Sequence, residues 1–472
     1  MLMETKLDRI KVAIIGGGPG GYEAAIRLNQ YGINTTVFEM QRIGGICLNW
    51  GCIPTKTLVK SAELVREMTE AESFGLNPQE NIFAFRNIFE RKNKIVEQLV
   101  SGIEFLFRKR KIPIVNEKVE TITKEDSFYL LQTSSGNSYE AEYIIIATGS
   151  DSKSLPGIEI DETQILSSTG ILKLDTLPKS LAVIGGGVIG CEFASIFNTL
   201  GVEVHIIEFL PRLVSSEDEE ISKRLAMALK KSGIKVMLGT GVQSIDKQSG
   251  GLALNLNNGS QLIVEKALMS VGRIPVNNVQ WSNAELSLDR SAIVIDEHMK
   301  TSLPRVYAIG DVTAKMMLAH TASKQGFIAV EHIRSEIESK AYHIPRLFYP
   351  NIPRCTFTEP EIGSVGYTEE QAKAEFNEIS IGRFPFSASG KAMAMGNTFG
   401  FVKTIARADT MELVGMHIIG PQAAELIAQG GILISLKAKA EDIEHIVFAH
   451  PTLSESIMES IEDIRNLSIH KI

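Results

Sequence analysis

Scarcity narrows the field first. Only four cysteines occur in 472 residues, too few for the disulfide framework of a secreted protein, so a reducing compartment fits, most simply the cytoplasm. There is no run of 18 apolar residues, so no membrane span is expected. The stretch from Met1 to Arg9 carries Glu4 and Asp8 and leads directly into a strand-like run, unlike a secretory leader or an acid-poor transit peptide. Positive charge is not in excess either: a formal net charge of −8 argues against nucleic acid as a main partner. The basic run Arg108-Lys109-Arg110-Lys111 closes a helical pattern and reads as a solvated helix end. His320 and His417 lack companions at metal-ligand spacing, so no metal site is expected.

What the chain does have is length and glycine. A chain of this size divides into three or four domains, each able to bury a core. Its 39 glycines include two clusters that repeat one another. The first segment starts at Lys11, passes through Gly16-Gly17-Gly18-Pro19-Gly20-Gly21 and a helical stretch, and ends in an apolar run closed by Glu39. The second starts at Leu181, passes through Gly185-Gly186-Gly187-Val188-Ile189-Gly190 and a helix, and ends at Glu208. In both, the glutamate lies 23 positions after the first glycine. One GxGxxG is a weak signal, but two with matching acidic ends in a strand–helix–strand context are strong. Gly16, Gly18 and Gly21, like Gly185, Gly187 and Gly190, let backbone approach a pyrophosphate at the positive end of the following helix. The glutamate accepts hydrogen bonds from ribose hydroxyls. Two dinucleotides are expected.

Shortly after the first cluster comes Gly44-Gly45-Ile46-Cys47-Leu48-Asn49-Trp50-Gly51-Cys52-Ile53-Pro54-Thr55-Lys56. In an ideal helix, residues five apart have Cα atoms roughly 8.7 Å from each other, whereas a disulfide tolerates at most about 7 Å. If Cys47 and Cys52 pair, the helix must be tightened or distorted between them, and Gly51 makes that cheaper. So short a ring is a poor staple for a large protein. Beside a cofactor site it is better explained as a reversible two-electron store. Cys191 and Cys355 read as core.

Between the repeats, Ile88, Ile95, Leu99, Ile103 and Leu106 give residues 83–112 a helical spacing. Apolar strands stop at Thr148-Gly149, at Gly272 and at Gly310-Asp311, and the prolines 345, 350 and 353 mark a linker before a compact C-terminal unit. Near the end, Ala449-His450-Pro451-Thr452-Leu453-Ser454-Glu455 offers a base suited to neutral pH in His450. Thr452 to Glu455 also reads as a capping box, which leaves Glu455 with two candidate roles.

With these motifs in this order, nearly the whole chain resembles the flavin-dependent pyridine nucleotide–disulfide oxidoreductases, and within them the dihydrolipoyl dehydrogenases. The resemblance implies an α/β fold with two Rossmann-like dinucleotide-binding domains plus a C-terminal α+β dimerisation domain. Residues 1–150 would bind FAD, 151–276 NAD, 277–345 would complete the FAD domain and 346–472 would dimerise. It implies that the Gly16 turn, Glu39, Lys56, Thr148, Gly149 and Asp311 hold FAD, and that the Gly185 turn, Glu208 and Gly272 hold NAD. A 2′-phosphate at Glu208 would meet like charge, which favours NAD over NADP.

By the same resemblance Cys47 exchanges with substrate and Cys52 faces the flavin. Lys56 pairs with Glu192 beside it, although the residues alone read as a surface lysine and a helix-start glutamate. His450 would reach the dithiol of the other subunit of a homodimer, with Glu455 orienting it. The substrate implied is dihydrolipoamide on the lipoyl domains of 2-oxoacid dehydrogenase or glycine cleavage complexes. A glutathione-reductase-like disulfide reductase is the alternative, but it would bring arginines for the NADP phosphate. A mercuric reductase would carry a C-terminal cysteine pair, and a redox-inactive flavoprotein would lack a cysteine or His450. Two departures stand out: Phe448 replaces a family histidine, and Leu318 to Gly326 is less acidic than usual.

Overall fold

The computed structural model describes residues 8–77 and 82–471, so most of the N-terminal stretch read above lies outside the described residues. The chain forms two compact units. One comprises Met1–Thr57, Arg86–Lys153 and Gly272–Leu347, and the other Leu58–Phe85, Ser154–Val271 and Phe348–Ile472. The finer limits at 150, 276 and 345 remain a proposal.

In the first unit the strand Asp8–Ile15 lies between the parallel strands Thr35–Phe38 and Ser138–Ile146. Ile114–Val115 and Val306–Ala308 extend the parallel part on either side. These strands are covered on both faces, which is why they read as continuous Val/Ile runs rather than alternating ones. An antiparallel meander of Val119–Lys124 and Tyr129–Thr133 continues the sheet. The helices Pro19–Gln30 and Ala319–Glu338 pack together. A Cβ at Gly20 would stand 2.9 Å from the Ala322 carbonyl oxygen, so glycine there permits the close approach.

The second unit repeats that plan. Ser180–Ile184 lies between the parallel strands Glu203–Ile207 and Lys266–Met269, with Lys235–Met237 and Ile165–Leu166 outside them. The repeat seen in the sequence holds bond for bond. Gly16 N–H donates to Phe38 O at 2.8 Å and Gly185 N–H to Ile207 O at 2.9 Å. Glu39 N–H donates to Val115 O and Glu208 N–H to Met237 O, both at 2.9 Å. An antiparallel sheet in the order Arg354–Thr356, Glu361–Gly366, Leu413–Gly420, Phe401–Arg407, Ile379–Pro385 forms the C-terminal part. The helices Ala423–Ser435 and Glu455–Asp463 pack on it.

The helix expected over 83–112 runs from Phe85 to Arg110, and the core takes only part of the spacing that marked it. Ile88, Phe89, Lys92, Val96, Val100, Ile103 and Phe107 face inward, while Leu99 and Leu106 are more than 40% exposed. Its apolar residues spread beyond one face, and periodicity alone does not say which of them the core takes.

Lys403, on a central strand of the C-terminal sheet, is 1% exposed and carries a buried ion cluster. Its ammonium lies 2.9 Å from Asp218 Oδ1, 2.8 Å from Glu220 Oε1 and 2.7 Å from Glu369 Oε2. Arg383 completes the set at 2.6 Å from Glu220 Oε1. Burial acts to lower the Lys403 pKa, but the three carboxylates hold it above the usual lysine value. Burial likewise acts to raise Asp218, yet its cationic and amide neighbours keep it below the usual carboxylate value.

Lys403→Met leaves three carboxylates without their central cation and is expected to destabilise the protein by about 3–5 kcal/mol. The depressed carboxylates contribute stability above their unfolded values that is lost as pH falls. In the variant these groups repel one another instead, so acidification relieves it. Thermal unfolding of both proteins from neutral to mildly acid pH should show the gap narrowing on the acid side. A constant gap would assign the loss to packing.

Candidate active site

The two glycine turns divide their labour within the fold. Gly16 has φ +106° and Gly185 φ +105°, and a Cβ on either would strike the backbone of the neighbouring strand, Ala147 O at 2.2 Å or Ser270 O at 2.4 Å. At Gly21 and Gly190 a Cβ would meet the Gly16 or Gly185 carbonyl oxygen at 2.0 and 2.1 Å. Only Gly18 and Gly187 open outward, with nothing within 4 Å of a Cβ. Each caps the N-terminus of its helix, Pro19–Gln30 or Val188–Thr199. The outer four glycines thus serve strand and helix packing, and the middle ones leave room for a phosphate at a helix N-terminus.

The two glutamates are set alike. Glu39 accepts the Gly17 amide at 2.7 Å and the Gln41 amide at 2.8 Å, and Glu208 accepts those of Gly186 at 2.5 Å and Leu210 at 2.6 Å. Each oxygen keeps a lone pair for a sugar hydroxyl. A cleft of about 610 Å³ opens near the first, lined by Gln41, Arg42, Phe107, Ile112 and Asn116 among others. Beside the second, Arg212 forms a two-pronged contact at 3.2 Å with Glu370 and donates to Ser215 O. Its charge is therefore already engaged.

The strands ending at Thr148-Gly149 and Gly272 both stop in left-handed glycines, φ +75° and +115°. Just beyond them Ser150–Ser152 pairs with Arg273–Pro275. Thr148 Oγ1 donates to Val276 O at 2.5 Å. Asp311 opens onto this ribbon: its Oδ2 accepts the Ser150 hydroxyl at 2.5 Å. Ser150 and Arg273 were not anticipated. The signal available was a polar and a charged residue directly after the two singled-out glycines. The neutral replacement in the Leu318–Gly326 stretch also finds its place. Gln325 is fully buried and accepts the Gly310 amide at 2.6 Å, while Lys324 is exposed.

The dithiol segment folds as the ring requires. Helix Gly45–Trp50 ends at Gly51 and a new helix starts at Cys52, running to Thr69. The break brings the Cys47 and Cys52 Cα atoms to 4.7 Å, and the two are joined as a disulfide. A Cβ at Gly51 would crowd Ile46 O at 3.0 Å and Cys47 Cα at 3.1 Å, so this residue permits the tight return. Asn49 pins the loop by donating to Ile43 O and Gly45 O, and Thr55 Oγ1 donates to Gly51 O at 2.7 Å. Cys52 is the first residue of an 18-residue helix, whose positive end favours a thiolate there once the bridge opens.

Glu192 is buried, and its Oε1 accepts the Phe357 amide at 2.9 Å. Lys56 and Glu192 belong to different units, so their pairing remains a proposal. His450 is 82% exposed, with Nδ1 2.9 Å from Glu455 Oε1. The other Glu455 oxygen accepts the Thr452 amide at 2.8 Å. The expected capping box forms only by half. The helix begins at Glu455 rather than after Thr452, and the Thr452 hydroxyl donates backward to Ala449 O. Burial acts to raise the Glu455 carboxyl, but the Thr452 amide and the His450 ring hold it below its ordinary value. It is therefore an ionised acceptor that can orient the imidazole.

Residues 10–326 match the model of the pyridine nucleotide-disulphide oxidoreductases, and residues 352–461 match that family's dimerisation domain. The chain belongs to this family. Dihydrolipoyl dehydrogenase of Zymomonas mobilis is 37% identical over 98% of this chain and 99% of its own length. The mitochondrial dihydrolipoyl dehydrogenase of Pisum sativum is 38% identical over 98% and 93%. Among solved structures, LpdA from Mycobacterium tuberculosis superposes with a TM-score of 0.86 over 97% of this chain and 99% of its own, at 24% identity, a likeness of fold. Among the described residues, no helix is long and apolar enough to cross a membrane.

Proposed function

We propose that this protein is a dihydrolipoyl dehydrogenase, oxidising protein-bound dihydrolipoamide to lipoamide and reducing NAD to NADH with FAD as its cofactor. The observation that carries the reading is the Cys47–Cys52 bridge, closed across the Gly51 break at the start of a helix and shortly after a dinucleotide turn. The Gly18 opening, Glu39, Lys56, Thr148, Gly149 and Asp311 would hold FAD. Gly187, Glu208 and Gly272 would hold NAD.

The chemistry of the chain's own residues follows. His450 takes a proton from one substrate thiol, and the thiolate attacks Cys47 Sγ and displaces Cys52 as a thiolate. The second substrate thiol then attacks the mixed disulfide, closing the lipoamide ring and releasing Cys47 as a thiol. The substrate loses two electrons and the Cys47–Cys52 pair gains them. Bound FAD supplies the two-electron path from that pair to NAD. Glu455 keeps the His450 ring aimed and stabilises it when protonated.

The C-terminal segment carries the family's dimerisation domain, and the protein acts as a homodimer. That His450 serves the dithiol of the partner chain, that lipoyl domains of 2-oxoacid dehydrogenase or glycine cleavage complexes are the physiological substrates, and that the protein is cytoplasmic belong to the same proposal.

The direct test is NADH formation from dihydrolipoamide by the FAD-loaded protein, followed by absorbance. Robust turnover with NAD and little with NADP is expected. No turnover, together with reduction of glutathione disulfide by NADPH, would move the protein to the glutathione-reductase-like alternative.

A further inference from the structure

Asp311 is held by a chain of hydrogen bonds that starts at a half-buried cation. Arg273 follows Gly272 and pairs within the short ribbon of Ser150–Ser152 and Arg273–Pro275. Its side chain is 15% exposed. Nε donates to Ser150 Oγ at 2.7 Å and Nη2 donates to Ser150 O at 2.6 Å. A guanidinium only donates, so the serine oxygen must accept from it, and its single hydrogen is left for another acceptor. That acceptor is Asp311 Oδ2 at 2.5 Å. The nearest approach of Arg273 to Asp311 itself is 4.0 Å, so Ser150 relays the interaction. Hydrogen bonds linked in this way polarise and strengthen one another in a buried setting.

The relay has a directional consequence. With Oδ2 taken by Ser150, the Asp311 carboxylate cannot turn freely, and Oδ1 has no hydrogen-bond partner among the described residues. An ionised carboxylate accepts only, so Oδ1 is a fixed, open acceptor suited to a sugar-alcohol hydroxyl. Gln325 fixes the same turn from the other side through the Gly310 amide.

We propose that Arg273 is a positioning residue for the flavin, acting through Ser150 to aim the Asp311 carboxylate at a ribityl hydroxyl. This rests on the reading of Asp311 as a flavin contact. Arg273 touches neither cofactor nor substrate; its effect passes entirely through Asp311.

The test is a double-mutant cycle on FAD affinity. The holoenzyme is prepared as wild type, Arg273→Met, Ser150→Ala, Asp311→Asn and Arg273→Met/Asp311→Asn. FAD dissociation constants are measured by recovery of free-flavin fluorescence on dilution. Arg273→Met and Ser150→Ala should each weaken FAD on the order of tenfold or more, the scale of a hydrogen bond to a charged group. Added to Asp311→Asn, Arg273→Met should cost almost nothing further, because its target is gone. Full additivity in the cycle, or wild-type FAD affinity in Ser150→Ala, would overturn the proposal. Should Arg273→Met not fold, Ser150→Ala decides, since it cuts the relay and leaves the cation in place. If Asp311→Asn itself binds FAD as the wild type does, the flavin reading of Asp311 fails, and that result is distinct from additivity.

Discussion

Cys47→Ser and Cys52→Ser are each expected to bring NADH formation from dihydrolipoamide down to background, while FAD stays bound and the proteins stay folded. The reason lies in the geometry of the bridge. The ring spans a sequence separation of five, so opening it costs at most about 2 kcal/mol of stability in the chain-entropy estimate. The segment is also pinned independently, by Asn49 on Ile43 O and Gly45 O and by Thr55 on Gly51 O. What a serine removes is the acceptor of two electrons. A hydroxyl neither forms the mixed disulfide with substrate nor leaves as a stable thiolate. Reduction of an artificial dye by NADH needs the flavin and nucleotide sites but no dithiol, and should survive in both variants. Lipoamide turnover by either serine variant would refute the dithiol mechanism. Loss of dye reduction as well would mean the damage extends beyond the bridge.

His450→Gln is expected to lower dihydrolipoamide turnover by about a hundredfold to ten-thousandfold, the range for loss of a positioned general base. Dye reduction should again be unaffected. His450 is 82% exposed within its own chain, and Glu455 holds its ring. A base so placed suits a dithiol on a second copy of the chain. Mixing Cys52→Ser with His450→Gln under conditions of subunit exchange separates the two arrangements. If histidine and dithiol come from different chains, each mixed dimer contains one intact site and activity reappears. If they come from the same chain, every site in the mixture lacks one partner and activity stays at the level of the His450→Gln protein.

Which features were legible in advance follows from their range along the chain. The two glycine turns are local: each needs a strand, a turn and a helix within a few dozen residues, and the sequence of Lys11 to Glu39 contains all of them. The Cys47–Gly51–Cys52 ring is likewise local, and the need for a helix distortion could be read from helical geometry before the break at Gly51 was seen. Glu455 lay at the margin. Its spacing from Thr452 matched a capping box and its spacing from His450 matched an orienting contact. The structure uses one oxygen for the Thr452 amide and the other for the imidazole. For Phe85–Arg110 the spacing showed a helix but not its inner face: Ile88 and Ile103 are buried while Leu99 and Leu106 are exposed, because only the packed partners choose among apolar positions of the same period.

By itself the sequence determined the twofold dinucleotide plan, the spacing of the dithiol and the family to which the chain belongs. In each case the chemistry lies in residues that are neighbours along the backbone. Only the tertiary structure decided how the charges are partnered. Lys403 meets Asp218 across 185 residues, Arg273 meets Ser150 across 123, and Ser150 meets Asp311 across 161. Such pairs leave no periodicity in a sequence. They exist because a buried charge must find its counterpart wherever the fold delivers one, and delivery depends on sheet order and strand register.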